Sequence, residues 1–473
     1  MTIALIVLLA LLPFGDAGRT VPSWAMNAVA FGTLLLLREL IALRPGAQPG
    51  VPIKRLLRPG ALFIVVVLFC YLQTVAVPAI VGHPVWTVAA ETLGGAISAR
   101  LSIDPDATSL ATLRLITAAC AFWIAAQLAA HVARALILLY AVVAIGTATT
   151  ILGLWDAASA GTLRGVSSVA LIDVAAEAFG NRNVFATYVG MASIVALALL
   201  WRRFQIPHER SGSTSRLVVL ALLRGINGMG SVLIGATCLL LAAVMASGSR
   251  GAILSTCLSA VVLSVLMLGR RHHGERRRNV AIMILSLAGF VAAVLAFGDV
   301  VLWRLAKVGL YDQSRMALAE TTLTAIGSSP WFGYGYGTFG AVFPMFRDDP
   351  ATIWNSWSSA HNIYLETAAE LGIPVAVMLA GAVGWIVWEC LRGAQARRRY
   401  RALPAAAASV AVLGFVHAAV DFSLAVQAVN LTFATILGVG FAQAVRREEG
   451  ASIRRESTPE DNWRVASARN RIG

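Results

Sequence analysis

The chain has 473 residues, of which 58% are hydrophobic and only 13% charged, and it carries a formal net charge of +14. A mean hydropathy of +0.75 leaves too little polar surface for a water-soluble globule and excludes that class. The excess charge is almost all arginine, since lysine stands only at positions 54 and 307. Its clustering between apolar runs fits membrane topology rather than nucleic-acid binding.

Apolar runs recur from one end to the other, near 2–15, 24–43, 61–80, 109–130, 134–155, 183–201, 228–247, 252–269, 280–298, 373–391, 403–422 and 426–445. At about 20 residues per crossing they predict about twelve transmembrane helices. The first run resembles a signal-peptide core but lacks a basic leader and a small-residue cleavage site, so it reads as a retained span. The stretch 217–230 contains Arg224 and also fits an amphipathic surface helix. Cys70, Cys120, Cys238, Cys257 and Cys390 all lie in apolar runs and predict neither a disulfide framework nor a zinc site.

Three basic breaks, at Arg44 to Arg58, Arg270 to Arg278 and Arg397 to Arg401, fall on one side if the spans alternate. That side is expected to be cytoplasmic, together with both termini. The loops 81–108, 156–182 and 299–372 and the turn carrying Arg250 then share the opposite face. The expected fold is an all-α polytopic membrane domain over residues 1–445, with a helical periplasmic cap from loop 299–372. A polar, charged tail at 446–473 is expected to be disordered. No internal repeat is present at a fixed period.

The loop 299–372 is the long polar stretch between apolar spans. It contains Arg315, the run WFGYGYGTFG and the segment SSAHNIYLETAAELG. The glycine run lacks the lysine followed by serine or threonine that ends a phosphate loop. It reads instead as a sharp backbone turn, with Tyr334 and Tyr336 available to stack on sugars or to sit at the interface. His361 is expected on a helix with Asn362, Tyr364, Glu366 and Glu370, and an imidazole suits proton transfer near neutral pH. A helix-start histidine held by a carboxylate is the structural alternative.

Arg250, in ASGSRGA, sits at the join of two spans, where a guanidinium can hold a phosphate or snorkel to headgroups. Arg315 is expected to open an amphipathic helix, with Asp312 as its structural partner. Asn181, Arg182 and Asn183 lie at the outer end of a span, as a helix cap or as substrate contacts. His417 and Asp421 lie four apart near the outer end of another span, where pairing with each other is the default.

These segments together resemble the O-antigen ligase and polymerase superfamily of bacterial envelope enzymes. The resemblance rests on SGSRG at 247–251, Arg315, the GYGYGTF run and HNIYLETAAELGIP, and covers about residues 180–425. FGNRNVFATY and VHAAVDFSL resemble segments found among polysaccharide-polymerising members. The resemblance implies a metal-independent, cofactor-free glycosyltransferase at the outer face of the bacterial inner membrane. Its donor would be an undecaprenyl-diphosphate-linked glycan, and its acceptor a glycan, lipid A-core or a protein. His361 would be the essential histidine, and Arg250 and Arg315 would bind the diphosphate. Asp348 and Asp349 are adjacent, so loop 299–372 offers no Asp-x-Asp metal pair. A polymerase with the same chemistry is the near alternative. A lipid-linked sugar transporter or flippase is the alternative of another class, against which stand the missing repeat and the concentration of polar groups at one surface.

Overall fold

The structure, a computed structural model, describes residues 1–14, 16–46, 50–159, 179–204, 228–268, 313–347, 357–397 and 400–446. Among these residues all regular structure is helical. In chain order the longer elements are α1 (Thr2–Leu11), α2 (Val21–Ala42), α3 (Leu57–Thr74), α4 (Val85–Leu93), α5 (Pro105–Leu128), α6 (Val132–Ser159) and α7 (Arg182–Phe204). They continue with α8 (Met229–Ala246), α9 (Arg250–Leu268), α10 (Gln313–Ser328), α11 (Ile363–Leu371), α12 (Ile373–Ala396), α13 (Ala402–Ala418) and α14 (Gln427–Val445).

Nine of the described helices are long and apolar enough to cross a membrane, and α1 and α13 are shorter apolar helices. The chain is a polytopic membrane protein. Eleven of the twelve expected spans coincide with a described helix, and the twelfth, 280–298, lies outside the described residues. Two boundaries differ clearly. The span expected over 61–80 ends at Thr74, where Val75 turns extended. The span expected over 403–422 stops at Ala418, although Val420 and Phe422 continue the apolar run. The Asp421 carboxylate accepts hydrogen bonds from both the backbone N–H and the hydroxyl of Ser423, a local turn that competes with the helical ladder. Hydropathy does not register such a break.

Helices α7, α13 and α14 form the centre, and most residues of α13 are buried. The apolar window of α7 is 100% buried and that of α14 is 83% buried. Helix α7 packs against α6, α8, α9 and α13, while α14 packs against α5, α12 and α13. Small residues make the close approaches, as membrane packing favours. A Cβ at Gly438 of α14 would lie 2.3 Å from the Phe122 carbonyl of α5, so nothing larger than glycine fits there.

The bundle has two chemically different ends. At one, Arg397 donates to the Arg446 carbonyl and Arg401 to the Leu266 carbonyl, which ties the basic break between α12 and α13 to the ends of α14 and α9. At the other lie the start of α7, the start of α9, the end of α13 and the cap elements α10 and α11. That polar end contains nearly all the candidate residues.

Candidate active site

The turn after α13, residues 417–423, is the hub. Asp421 is 1% exposed at its side chain, and its Oδ1 lies 3.5 Å from Nδ1 of His361, which is 17% exposed. That separation is longer than a well-formed hydrogen bond, so the attraction is mainly electrostatic. Asn183 Nδ2 donates to the same Oδ1 at 2.8 Å, and the Ser423 N–H donates to Oδ2 at 3.0 Å. Burial opposes ionisation of Asp421, but His361, His417 and the hydrogen bonds from Ser423 and Asn183 hold its carboxyl below the usual range. The carboxylate is therefore charged and aimed at the imidazole.

Two aromatic rings bracket that imidazole edge-on: Phe422 at 5.0 Å and Trp357 at 5.5 Å between centroids. His361 does not lie on a helix as expected. Helix α11 begins at Ile363, and the Asn362 side chain caps it by accepting from the N–H groups of Tyr364 and Leu365. His361 precedes the cap with φ of +50°, a left-handed conformation that L side chains rarely adopt. Helical-face reasoning from His361 to Leu365 fails for that reason.

Arg315 lies on α10, and its guanidinium donates to the Val420 carbonyl at 2.8 Å. This places a cation one residue from Asp421. Its expected structural partner, Asp312, lies outside the described residues. Arg250 opens α9, and the next residue, Gly251, touches the hub so closely that a Cβ there would lie 2.9 Å from both His417 and Val420. The Tyr364 hydroxyl donates to the Phe415 carbonyl at 2.8 Å and ties α11 to α13. Arg182 is the first residue of α7, beside Asn183, and Asn181 accepts the Asn183 N–H at 2.7 Å. One local pocket of chemistry therefore unites His361, Asp421, Asn183 and Arg315, with Arg250 adjoining through its neighbour.

Two expectations are corrected. His417 and Asp421 do not pair by hydrogen bonding. His417 Nδ1 bonds Thr187 Oγ1 at 2.7 Å, while Asp421 takes Asn183 and Ser423 and faces His361. The Thr187 hydroxyl already donates to the Asn183 carbonyl at 2.8 Å, so His417 must donate from Nδ1. Tyr334 of the glycine run does not offer its face to a sugar, and Tyr336 is partly buried. Tyr334 is 2% exposed and packs on His83 and Phe346, and Tyr336 packs against the cluster of Val66, Cys70, Leu371 and Val375.

The glycines do make the sharp turn that the sequence suggests. Gly333 and Gly335 have φ of +65° and +109°, and a Cβ would lie 2.3 Å from the Glu370 carbonyl and 2.2 Å from Ser102 Oγ respectively. Beneath this turn, Glu370 accepts the Phe339 N–H at 3.0 Å. Burial and the neighbouring Glu366 push Glu370 up to about 8, against its backbone hydrogen bonds and Arg114. Burial also raises Glu366, opposed by Ser359, Ala360, Arg114 and His361.

Sequence reasoning missed Thr187, Ser423, Phe422, Trp357 and Arg114. Thr187 follows Asn183 by one helical turn, and Ser423 follows Asp421 by two residues, so spacing pointed to both. The aromatic pair and Arg114 carried no comparable signal.

A multi-span helical membrane protein with a buried carboxylate, a histidine and arginines at one end defines the class. Within it, residues 235–380 match a family model described as O-Antigen ligase. The match includes Arg250, Arg315 and His361, and bears out the resemblance over that segment. It ends before Asp421 and begins after Asn183. No curated protein matches the chain.

Proposed function

We propose that this protein transfers a glycan from undecaprenyl diphosphate to an acceptor hydroxyl at the periplasmic face of the bacterial inner membrane, without a metal. The observation that carries this reading is the convergence of His361 and Arg315 on adjacent hub residues, Asp421 and Val420. The match to O-Antigen ligase over residues 235–380 supports it.

In this reading His361 is the base. With Nδ1 turned to Asp421, Nε2 is left for the acceptor hydroxyl. The acceptor oxygen attacks the anomeric carbon as its proton passes to Nε2, and the bond from that carbon to the phosphate oxygen breaks. The electron pair leaves with undecaprenyl diphosphate, whose charge Arg315 and Arg250 offset. Asp421 stabilises the imidazolium that forms. Partial exposure of His361 beside a fully buried Asp421 suits these roles.

Polymerisation, with a second lipid-linked glycan as acceptor, is the second reading. The hydrogen bond from Asn183 to Asp421 favours it, because it joins the two segments that resemble polymerising members.

The test is reconstitution in liposomes with a defined undecaprenyl-diphosphate oligosaccharide and, separately, lipid A-core, a protein or a second lipid-linked glycan. The expected result is release of undecaprenyl diphosphate with the glycan attached to one acceptor. His361→Ala is expected to abolish transfer while the protein still inserts, and Arg250→Ala or Arg315→Ala to weaken donor use. Full activity of His361→Ala would overturn the assignment of the base, and movement of intact donor across the bilayer without transfer would favour a flippase.

A further inference from the structure

Glu366 lies in the first turn of α11 and reaches back across the start of its own helix. One oxygen, Oε2, accepts both the Ser359 hydroxyl at 2.6 Å and the Ala360 N–H at 2.8 Å. Ser359 Oγ in turn accepts the His361 N–H at 3.3 Å. The two residues before His361 are thus tied to the helix after it, and the histidine sits inside the closed ring.

That closure answers a specific need. The left-handed backbone at His361 is strained for an L side chain and persists only where surrounding contacts over-determine it. Asn362 caps the helix on the far side of His361, and the Glu366 bonds secure the near side. Arg114 of α5 acts electrostatically on Glu366, Glu370 and Tyr336 together, and Glu370 anchors the glycine turn through Phe339.

We infer that Glu366 is a positioning residue for His361, whose carboxylate oxygen fixes the Ser359–Ala360 turn and so aims the imidazole at Asp421 and the acceptor. This rests on His361 acting as the base in the function proposed above. Glu366 touches no reacting atom in this scheme. What matters is an acceptor oxygen at its reach, so glutamine preserves the function and aspartate, one methylene shorter, does not.

The experiment compares wild type with Glu366→Gln, Glu366→Asp and Ser359→Ala in the reconstituted transfer assay, with amide hydrogen exchange of the peptide spanning 357–362. A misplacement of about 1 Å costs on the order of 100-fold in rate. Glu366→Asp is therefore expected to lose about that factor in kcat with donor KM within about twofold, and to exchange faster at Ala360 and His361. Glu366→Gln is expected to stay within about tenfold of wild type, with unchanged exchange. Wild-type kcat and unchanged exchange in Glu366→Asp would overturn the inference, as would equal losses in both variants with unchanged exchange. Should Glu366→Asp fail to insert, Ser359→Ala decides: faster exchange and lower kcat support the inference, and wild-type behaviour sinks it. Absence of transfer by wild type would refute the proposed function alone, because exchange still reports whether Glu366 holds the His361 segment.

Discussion

His361 and Asp421 face each other across 3.5 Å, Nδ1 to Oδ1, with the carboxylate buried and the imidazole partly open. Neither residue is on the regular part of a helix. A cap segment and a turn between spans have been brought together, which gives the pair a defined orientation on a rigid bundle. Catalytic hydrogen bonds commonly tighten only once substrate is in place.

Asp421→Asn keeps the shape of the carboxylate but removes its charge and disturbs the imidazole tautomer. Transfer is expected to fall by on the order of 10²- to 10⁴-fold. Initial rates at saturating donor check this, and a fall in kcat rather than a rise in KM is the expected form.

Thr187→Val is nearly isosteric and strands the buried Nδ1 of His417, which now bonds Thr187 at 2.7 Å. An unsatisfied buried donor costs about 1–3 kcal/mol, so the melting temperature in detergent should fall. Donor KM should change little, because the proposed chemistry assigns His417 no contact with the donor.

Gly335→Ala places a Cβ 2.2 Å from Ser102 Oγ at a residue with φ of +109°. The backbone strain alone costs roughly 1–3 kcal/mol, and the contact adds to it. A clear loss of thermal stability is expected. Gly384, where a Cβ would meet nothing within 4 Å, is the control and should tolerate alanine far better.

Glu370 supplies the pH prediction. Burial, with Glu366 beside it, raises its carboxyl from 4.5 to about 8. The folded state then holds a proton that the unfolded state releases above about 4.5, so the unfolded state binds fewer protons in that window. Stability from this group is full below about 4.5 and is lost progressively as pH rises towards 8. Glu370→Gln should flatten that slope between pH 5 and 8, as read by thermal unfolding at several pH values.

Much of this was legible in the residues themselves. The spans, the basic end and the candidates His361, Arg250 and Arg315 follow from hydropathy, charge and short motifs, which are local properties of a segment. The expected helix through His361 failed because one left-handed residue before an Asn cap is invisible to periodicity. The expected pairing of His417 with Asp421 failed because each found a partner on α7, 230 and 238 residues away respectively. Spacing along one helix cannot anticipate a neighbour supplied by another.

The amino-acid sequence by itself determined that the chain crosses a membrane many times, because apolar length and arginine placement decide insertion segment by segment. It also determined which side chains could do proton and phosphate chemistry. Only the tertiary structure decided which of them meet. Packing of α7, α9, α10, α11 and α13 around one turn joined Asn183, Arg315, His361 and Asp421, whereas Tyr336 packed against an apolar cluster. Those outcomes depend on contacts between distant segments, where burial and hydrogen-bond satisfaction are settled jointly rather than residue by residue.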